Sequence, residues 1–166
     1  MTYGHLVIFD IGGVACALPR EEVRALVPVP HLWRPPSAPP ILAGMANIDG
    51  HAVPVIRLDK ALGLETADLP GGDLYRHLIL MDNLLPASTA ALLVDRVLDV
   101  SPAPVEAGKP DPGLSLNGCV EAEFEANGTL IHLLAAGKLL FAVEQEGIST
   151  LSRIAEERIG AWGEPA

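Results

Sequence analysis

Residues 44–58 read GMANIDGHAVPVIRL, and this stretch decides the fold class. Two short apolar runs, Met45–Ile48 and His51–Leu58, are separated by the dipeptide Asp49-Gly50. Asp-Gly is a strong signal for a type I′ hairpin turn, because both residues tolerate a positive φ. The stretch therefore predicts two antiparallel strands joined by a tight turn.

Short apolar runs that end in turn residues recur along the chain, which is typical of a mainly β protein. Further predicted strand pairs are Leu6–Phe9 with Val14–Leu18 across Gly12-Gly13, His77–Met81 with Ala90–Val94, and Val120–Glu125 with Thr129–Leu134 across Asn127-Gly128. Helical spacing is confined to residues 20–26 and to a longer C-terminal stretch, residues 148–162. The Pro-rich segments 28–40 and 102–112 are predicted loops, because proline lacks the amide donor of a central strand.

An internal repeat is the most informative feature. The run His5-Leu6-Val7-Ile8 returns 72 residues later as His77-Leu78-Ile79-Leu80, and the turn at Asp49-Gly50 returns 78 residues later at Asn127-Gly128. A Lys-x-Leu stretch follows each second hairpin, beginning at Lys60 and at Lys138. A duplicated unit of four or five short antiparallel strands predicts two small barrels packed together.

Composition excludes several classes of protein. The 11 Lys and Arg against 21 Asp and Glu give a net charge of −10, which argues against a nucleic-acid groove. No window approaches the ~18 uninterrupted apolar residues of a membrane span, and residues 6–18 lack the basic start of a secretory signal. We therefore predict a cytoplasmic protein without direct membrane insertion. Cys16 and Cys119 lack metal-site spacing and are predicted to be buried free thiols.

Catalytic motifs do not stand out. The five histidines form no His-x-x-x-His pair, Gly71-Gly72 lacks the Lys-Ser/Thr of a phosphate loop, and no serine lies in a Gly-x-Ser-x-Gly context. We predict no catalytic residue, no metal site and no cofactor. A hydrolase or small-ligand protein that uses His132 or the glutamate strand would require a concave pocket with converging polar groups. Otherwise His132, in an apolar strand, is predicted to be a hydrogen-bonded structural imidazole.

Two charged patterns have competing interpretations. Glu121, Glu123 and Glu125 alternate with apolar residues, so they share one strand face, and a solvated face that blunts an edge strand is the expected role. Asp95 and Asp99 bracket Arg96 among valines. That cluster either ties down a strand end or forms a polar patch that faces a partner.

Two stretches together resemble the CheW-like domain family. Residues 41–58 are similar to its pattern Leu-Gly-Val-x-Asn-Leu-Arg-Gly-x-x-x-Pro-Val-x-Asp-Leu, and residues 92–100, LLVDRVLDV, to its Leu-Val-Asp-x-Val-x-x-Val segment. The resemblance runs from about Leu6 to Leu140. It implies a single CheW-like domain over residues 1–166, built of two small five-stranded SH3-like barrels with a C-terminal helix. The expected bounds are about 14–72 for barrel 1, about 73–145 plus the N-terminal strand for barrel 2, and about 148–162 for the helix.

The resemblance also implies a function. Members act as non-catalytic adaptors in bacterial chemotaxis-type signalling, and couple the cytoplasmic tip of a chemoreceptor (a methyl-accepting protein) to the regulatory domain of a CheA-type histidine kinase. Such a protein is cytoplasmic and is recruited to membrane receptor arrays. The implied receptor-facing residues are Asn47, Asp49, Gly50, Val53, Val94, Asp95, Arg96 and Val97. The residues that we expect to face the kinase are Val23, Leu26, Met45 and Ile48.

The chain departs from the family pattern at two positions. Asp49 stands where the family has Arg, and Arg57 stands where it has Asp. A reversed charge at a receptor contact is penalised, unless the partner carries a matching change. The alternative is a diverged CheW-like regulator of another pathway, pilus-linked or of other function, that binds a kinase or other partner but not a typical receptor. A third explanation is that Asp49-Gly50 makes a better turn.

Overall fold

The protein is described from a computed structural model that covers residues 4–64, 76–85, 88–103, 118–126 and 128–161. The strands are β1 His5–Ile11, β2 Val14–Pro19, β3 Val23–Pro28, β4 Leu32–Trp33, β5 Leu42–Ile48, β6 His51–Arg57, β7 His77–Leu85, β8 Ser88–Val94, β9 Arg96–Pro102, β10 Val120–Ala126 and β11 Thr129–Leu134. The helices are α1 Leu58–Ala61 and α2 Ala142–Ala161, and 3-10 turns span Arg20–Glu22 and Ala136–Lys138. The fold is therefore mainly β with one long C-terminal helix, as predicted.

The described strands form two sheets whose layouts repeat one another. Sheet A has the order β9-β1-β2-β11-β10, and sheet B has the order β3-β7-β8-β6-β5-β4. The orders coincide when β1, β2, β3, β5 and β6 correspond to β7, β8, β9, β10 and β11. The parallel pairs coincide as well, β2 with β11 and β8 with β6. The predicted duplication is thus present in the topology, and β4 adds a short sixth strand to sheet B.

The two repeats exchange their first hairpins. In sheet A, β1 pairs with β9 and β2 pairs with β11, both from the second repeat. In sheet B, β7 pairs with β3 and β8 pairs with β6, both from the first repeat. The sheets therefore do not follow the expected bounds of about 14–72 for barrel 1 and about 73–145 plus the N-terminal strand for barrel 2, because β2 lies in sheet A and β7 and β8 lie in sheet B. Local patterns do not specify this exchange, since the two hairpins have similar sequences.

Three apolar clusters hold the sheets together. Successive residues of a strand point to opposite sides of a sheet, so that Leu6 belongs to the interior of sheet A while Val7 and Phe9 belong to the core shared by both sheets. Sheet B has its own interior cluster around Val55 and Leu78. The arrangement is that of two small barrels packed on a common core.

The helical spacing of residues 20–26 does not correspond to an α-helix. Residues 20–26 form a 3-10 turn followed by the first residues of β3, which pairs with β7 along its length. The apparent helical spacing of Val23 and Leu26 is a coincidence of a short window, because Val23 is buried whereas Leu26 is exposed. Ladder hydrogen bonds to β7 outweigh the weak local preference of this segment.

The C-terminal helix begins earlier than predicted and packs on the shared core. It starts at Ala142, and the side chain of Glu144 accepts a hydrogen bond from the backbone N–H of Phe141 at 2.9 Å, which satisfies a donor at the helix start. Ile148 is fully buried and Ala155 nearly so, and both belong to the shared core, so the helix docks on the two sheets. Trp162, the predicted last residue, lies outside the described residues.

Candidate functional site

The turn at Asp49-Gly50 has the predicted geometry. Asp49 has φ +53° and Gly50 has φ +83°, the two positive angles of a type I′ turn. The side-chain oxygen Oδ1 of Asn47 accepts a hydrogen bond from the backbone N–H of Gly50 at 2.9 Å. Asn47 therefore fixes the turn, and Asp49 projects an exposed carboxylate from it.

Residues 94–97 lie at the other end of sheet B. β6 and β8 run parallel, and Val55 is level with Ala91, so Val53 is separated from Val94 by about 17 Å along the strands at ~3.3 Å per residue. The Asp49 turn lies beyond Val53 on the far side. The structure therefore does not bring the two groups of receptor-facing candidates together, and a partner that touched both would have to span the sheet.

Asp95 has a structural partner. Its carboxylate accepts a hydrogen bond from the backbone N–H of Gly12 at 2.9 Å, and its own N–H donates to the carbonyl of Asp10 at 3.0 Å. Of the two interpretations of this charged cluster, the structure favours the one in which it ties down a strand end. Arg96 is exposed and Val97 is half-buried, so both remain accessible to a partner.

Four of the candidate contact residues are buried. Val23, Met45, Val53 and Val94 have side-chain exposures of at most 5%. These side chains are buried because they fill the barrel interior or the shared core. Of the candidates for the kinase contact, Leu26 is 38% exposed and Ile48 is half-buried.

Exposed apolar residues on β9 were missed by the sequence reasoning. Leu98 and Val100 are 47% and 43% exposed on β9, one of the two outer strands of sheet A. β9 corresponds to β3 in the repeat, and β3 carries exposed Leu26 on the outer strand of sheet B. Pairing the repeats strand by strand would have revealed both positions. Each barrel thus presents one outer strand with large apolar side chains.

A basic cleft lies at the end of sheet B where β6 and β8 terminate, and we call it the basic mouth. Its volume is about 670 Å³, and it is lined by Val29, Pro30, His31, Leu32, Arg34, Pro40, Leu42, Ala43, Arg57, Lys60, Arg76 and Leu93. Arg57 is one of the two departures from the family pattern noted in the sequence. Its guanidinium forms two hydrogen bonds to the Asp59 carboxylate, at 2.7 and 3.2 Å. Sequence reasoning missed the cleft because its cations come from separate segments.

His132 and Glu123 form a buried pair on neighbouring strands. Nδ1 of His132 lies 3.3 Å from Oε1 of Glu123, and both side chains are about one-tenth exposed. The prediction that His132 is a hydrogen-bonded structural imidazole is confirmed. The prediction of a solvated glutamate face is wrong at Glu123, which is buried beside His132, whereas Glu121 and Glu125 are exposed.

Both cysteines are buried free thiols, as predicted. Burial, and secondly the negative charge of Asp10, raise the pKa of Cys16 from 9.0 to about 12. Burial also raises the pKa of Cys119, against the opposing effect of the Lys138 ammonium. Neither thiol is therefore ionised near neutral pH, where a nucleophilic cysteine would need to be.

The described ranges contain no group of three His, Cys, Asp or Glu side chains placed to hold a metal ion. Among the same residues, no helix has the length and apolar character of a membrane span.

Comparison with known proteins identifies the family to which this fold belongs. A family model described as the CheW-like domain matches residues 5–144. The crystal structure of the scaffolding protein TtCheW from Thermoanaerobacter tengcongensis is similar, with a TM-score of 0.73 and 21% identity over 87% of this chain and 91% of that chain. No curated protein sequence gives a match. The family match covers both sheets and reaches the start of α2, and the chain belongs to the CheW-like domain family.

Proposed function

We propose that the protein is a non-catalytic adaptor in chemotaxis-type signal transduction, which couples a chemoreceptor tip to the regulatory domain of a CheA-type histidine kinase. The observation that carries the proposal is the family match across residues 5–144. Such an adaptor works in the cytoplasm and is recruited to membrane receptor arrays. It requires surfaces that bind partners rather than reacting groups, and the two unreactive thiols agree with that requirement.

The outer strands supply a surface for the kinase. Leu26 on β3 is an exposed apolar side chain on a sheet edge, where a second small barrel or an added strand can pack. Leu26→Glu would place a charge in such an interface and weaken kinase binding. Leu130→Glu is the matched control, because Leu130 is similarly exposed, at 43%, on β11 of the other sheet.

The Asp49 turn supports the diverged regulator as a second candidate. Its exposed carboxylate reverses the charge that the family places there, and a receptor carboxylate that pairs with the family Arg would be repelled. Asp49→Arg restores the family charge. Asp49→Asn is the control, because it removes the charge while keeping a residue that tolerates positive φ.

Isothermal titration calorimetry decides between these functions. The protein, Asp49→Arg and Asp49→Asn are titrated with the regulatory domain of the organism's own kinase, with and without a receptor signalling fragment. Binding of both partners by the natural protein supports the adaptor. Kinase binding alone, with receptor binding gained in Asp49→Arg, identifies the diverged regulator. Binding of neither partner rejects the adaptor and leaves only a diverged regulator that binds another partner; the fold is unaffected by this outcome.

A further inference from the structure

The basic mouth has an apolar floor. Val29, Leu32 and Leu93 line it, and the same side chains pack against the interior cluster of sheet B. The cleft is therefore the open end of a small β-barrel, a position where ligands commonly bind. Its volume of about 670 Å³ is enough for a few side chains of a bound segment.

The rim of this cleft is strongly cationic. Arg34, Arg57, Lys60 and Arg76 supply four of the chain's 11 Lys and Arg. No Asp or Glu is among the described residues that line the cleft, although the chain has 21 of them. The nearby carboxylate of Asp59 pairs with Arg57, so Arg34 and Lys60 are the cations on which the attraction for an anion rests. A positive cleft on a protein of net charge −10 concentrates the attraction for an anionic ligand at one place.

Two of the guanidinium groups are held in position. Arg34 donates hydrogen bonds to the backbone carbonyls of Leu42, Ala38 and Pro39 at 3.0–3.3 Å, which hold its side chain without neutralising its charge. The two hydrogen bonds between Arg57 and Asp59 fix the second. Fixed cations lose little conformational freedom when a ligand binds, which favours binding.

The neighbouring strand favours a peptide over a small anion. β4 borders the cleft through Leu32 and is the outermost described strand of sheet B, paired with β5 alone. A strand at a sheet edge can pair with an extended peptide. The cations also surround an apolar floor instead of converging on one point, which fits a chain that carries both carboxylates and an apolar side chain.

We propose that the basic mouth binds an acidic peptide segment of a partner protein. An apolar side chain of the segment occupies the floor, flanking Asp or Glu side chains pair with the cationic rim, and its backbone runs beside β4. This site lies at the end of sheet B opposite the Asp49 turn. It does not depend on the adaptor function, and its test uses neither a kinase nor a receptor.

Fluorescence polarisation with a labelled synthetic peptide tests the proposal. The probe has a central leucine flanked on both sides by aspartate and glutamate, and the comparison peptide carries asparagine and glutamine at those positions. We expect the acidic peptide to bind the full-length protein, with an affinity that falls as salt is added. The neutral peptide should bind at least about tenfold more weakly.

Lys60 is the position for the variant. Its side chain is exposed, whereas Arg34 and Arg57 also hold the structure together. Lys60→Glu should weaken binding of the acidic peptide about tenfold or more, and Lys60→Arg should retain it. Lys138→Glu is the matched control, because Lys138 is the exposed counterpart of Lys60 in the second repeat.

Three results would overturn the proposal. The first is equal binding of the acidic and neutral peptides. The second is an equal loss of affinity in Lys60→Glu and Lys138→Glu. The third is self-association of the protein, detected by analytical ultracentrifugation and abolished by Lys60→Glu, which would assign the cleft to a second copy of this chain.

Discussion

At the scale of single residues, backbone spacing leaves no room for a side chain at Gly44. A Cβ atom added there would lie 2.9 Å from the carbonyl oxygen of Trp33 and 3.2 Å from Cβ of Leu32, both in β4. We therefore expect Gly44→Ala to push β4 away from β5 and to lower the free energy of unfolding by about 1–3 kcal/mol in urea denaturation.

Gly137→Ala is the control for this change. No atom lies within 4 Å of the corresponding Cβ position at Gly137, so its stability should stay within about 0.5 kcal/mol of the natural protein. Equal stability of both variants would show that β4 can shift to accommodate the added methyl group without a loss of free energy of unfolding. Because β4 borders the basic mouth, Gly44→Ala should also weaken binding of the acidic peptide.

The Cys16 thiol makes stability depend on alkaline pH. Its pKa is about 12 in the folded protein against 9.0 for an ordinary thiol. A raised pKa means that the folded state holds the proton more tightly, so this contribution is complete below pH 9 and is lost between pH 9 and 12. Each pH unit in that window should cost about 1.4 kcal/mol relative to Cys16→Ala.

Urea denaturation of the two proteins across this pH range measures the effect. The stability difference between natural protein and Cys16→Ala should be constant from neutral pH to pH 9 and should decrease above it. A difference that stays constant at higher pH would mean that the thiol ionises as readily in the fold as in the unfolded chain.

At the scale of secondary structure, α2 acts as a clamp on the β5–β6 hairpin. Oε1 of Glu156 accepts a hydrogen bond from the backbone N–H of Ala52 at 2.7 Å, and the Ser152 hydroxyl donates to the Ala52 carbonyl at 3.4 Å. Ile148 and Ala155 anchor the same helix in the shared core. The helix therefore holds the strand that follows the Asp49 turn.

Glu156→Ala tests the clamp. The loss of the acceptor for the Ala52 N–H should lower the free energy of unfolding by about 1 kcal/mol. Glu157→Ala is the matched control, since Glu157 is 67% exposed and pairs only across the helix surface with Arg153, where the effect should stay within about 0.5 kcal/mol. Equal effects in thermal denaturation would show that the hydrogen bond to Ala52 adds nothing.

Truncation after Gly147 tests how much the docking of α2 contributes to stability. It removes the fully buried Ile148 along with Ala155, and burial of one large aliphatic side chain alone contributes about 1.5–3 kcal/mol. The truncated protein should unfold at markedly lower urea concentration and expose the shared core. An equally stable, monomeric product would contradict the docking.

At the scale of the whole molecule, the exchanged hairpins make the two repeats mutually dependent. Fragments 1–70 and 71–166, produced separately, should each lack the chemical-shift dispersion of a folded protein in two-dimensional NMR. Mixed together, they should recover it, because each supplies the hairpin that the other's sheet requires. A folded monomer of either fragment alone would show that a repeat can close on its own hairpin.

The sequence predicted what local chemistry determines. The turn dipeptide Asp49-Gly50 determines a hairpin through its positive φ angles. The internal repeat predicted two structurally similar halves. The exchange of hairpins depends on contacts distant in sequence, such as Leu133 with Ala17, which no local pattern encodes. For the same reason Glu123 was expected in solvent, because alternation along β10 reveals which residues share a face but not what covers that face.

The candidate binding residues stay predictions, and the motif did not indicate which of them are buried. A motif records positions that a family retains, and buried residues such as Met45 and Val53 fit that description as well as contact residues do. The basic mouth has no motif, since Arg34, Lys60 and Arg76 meet only after β4, α1 and β7 have been placed.

The exchange of hairpins also imposes an order of events during synthesis on the ribosome. Sheet B has all of its strands once Val94 has emerged, whereas Ala17 must wait for Leu133 before β2 acquires its parallel partner. Until β11 emerges, the nascent chain thus carries a complete sheet B and an N-terminal hairpin whose β2 edge is still unpaired, whereas β1 acquires its partner β9 earlier. Such edges are prone to pairing with other chains, so a translational pause before Val120 would prolong the most aggregation-sensitive stage in the life of this protein.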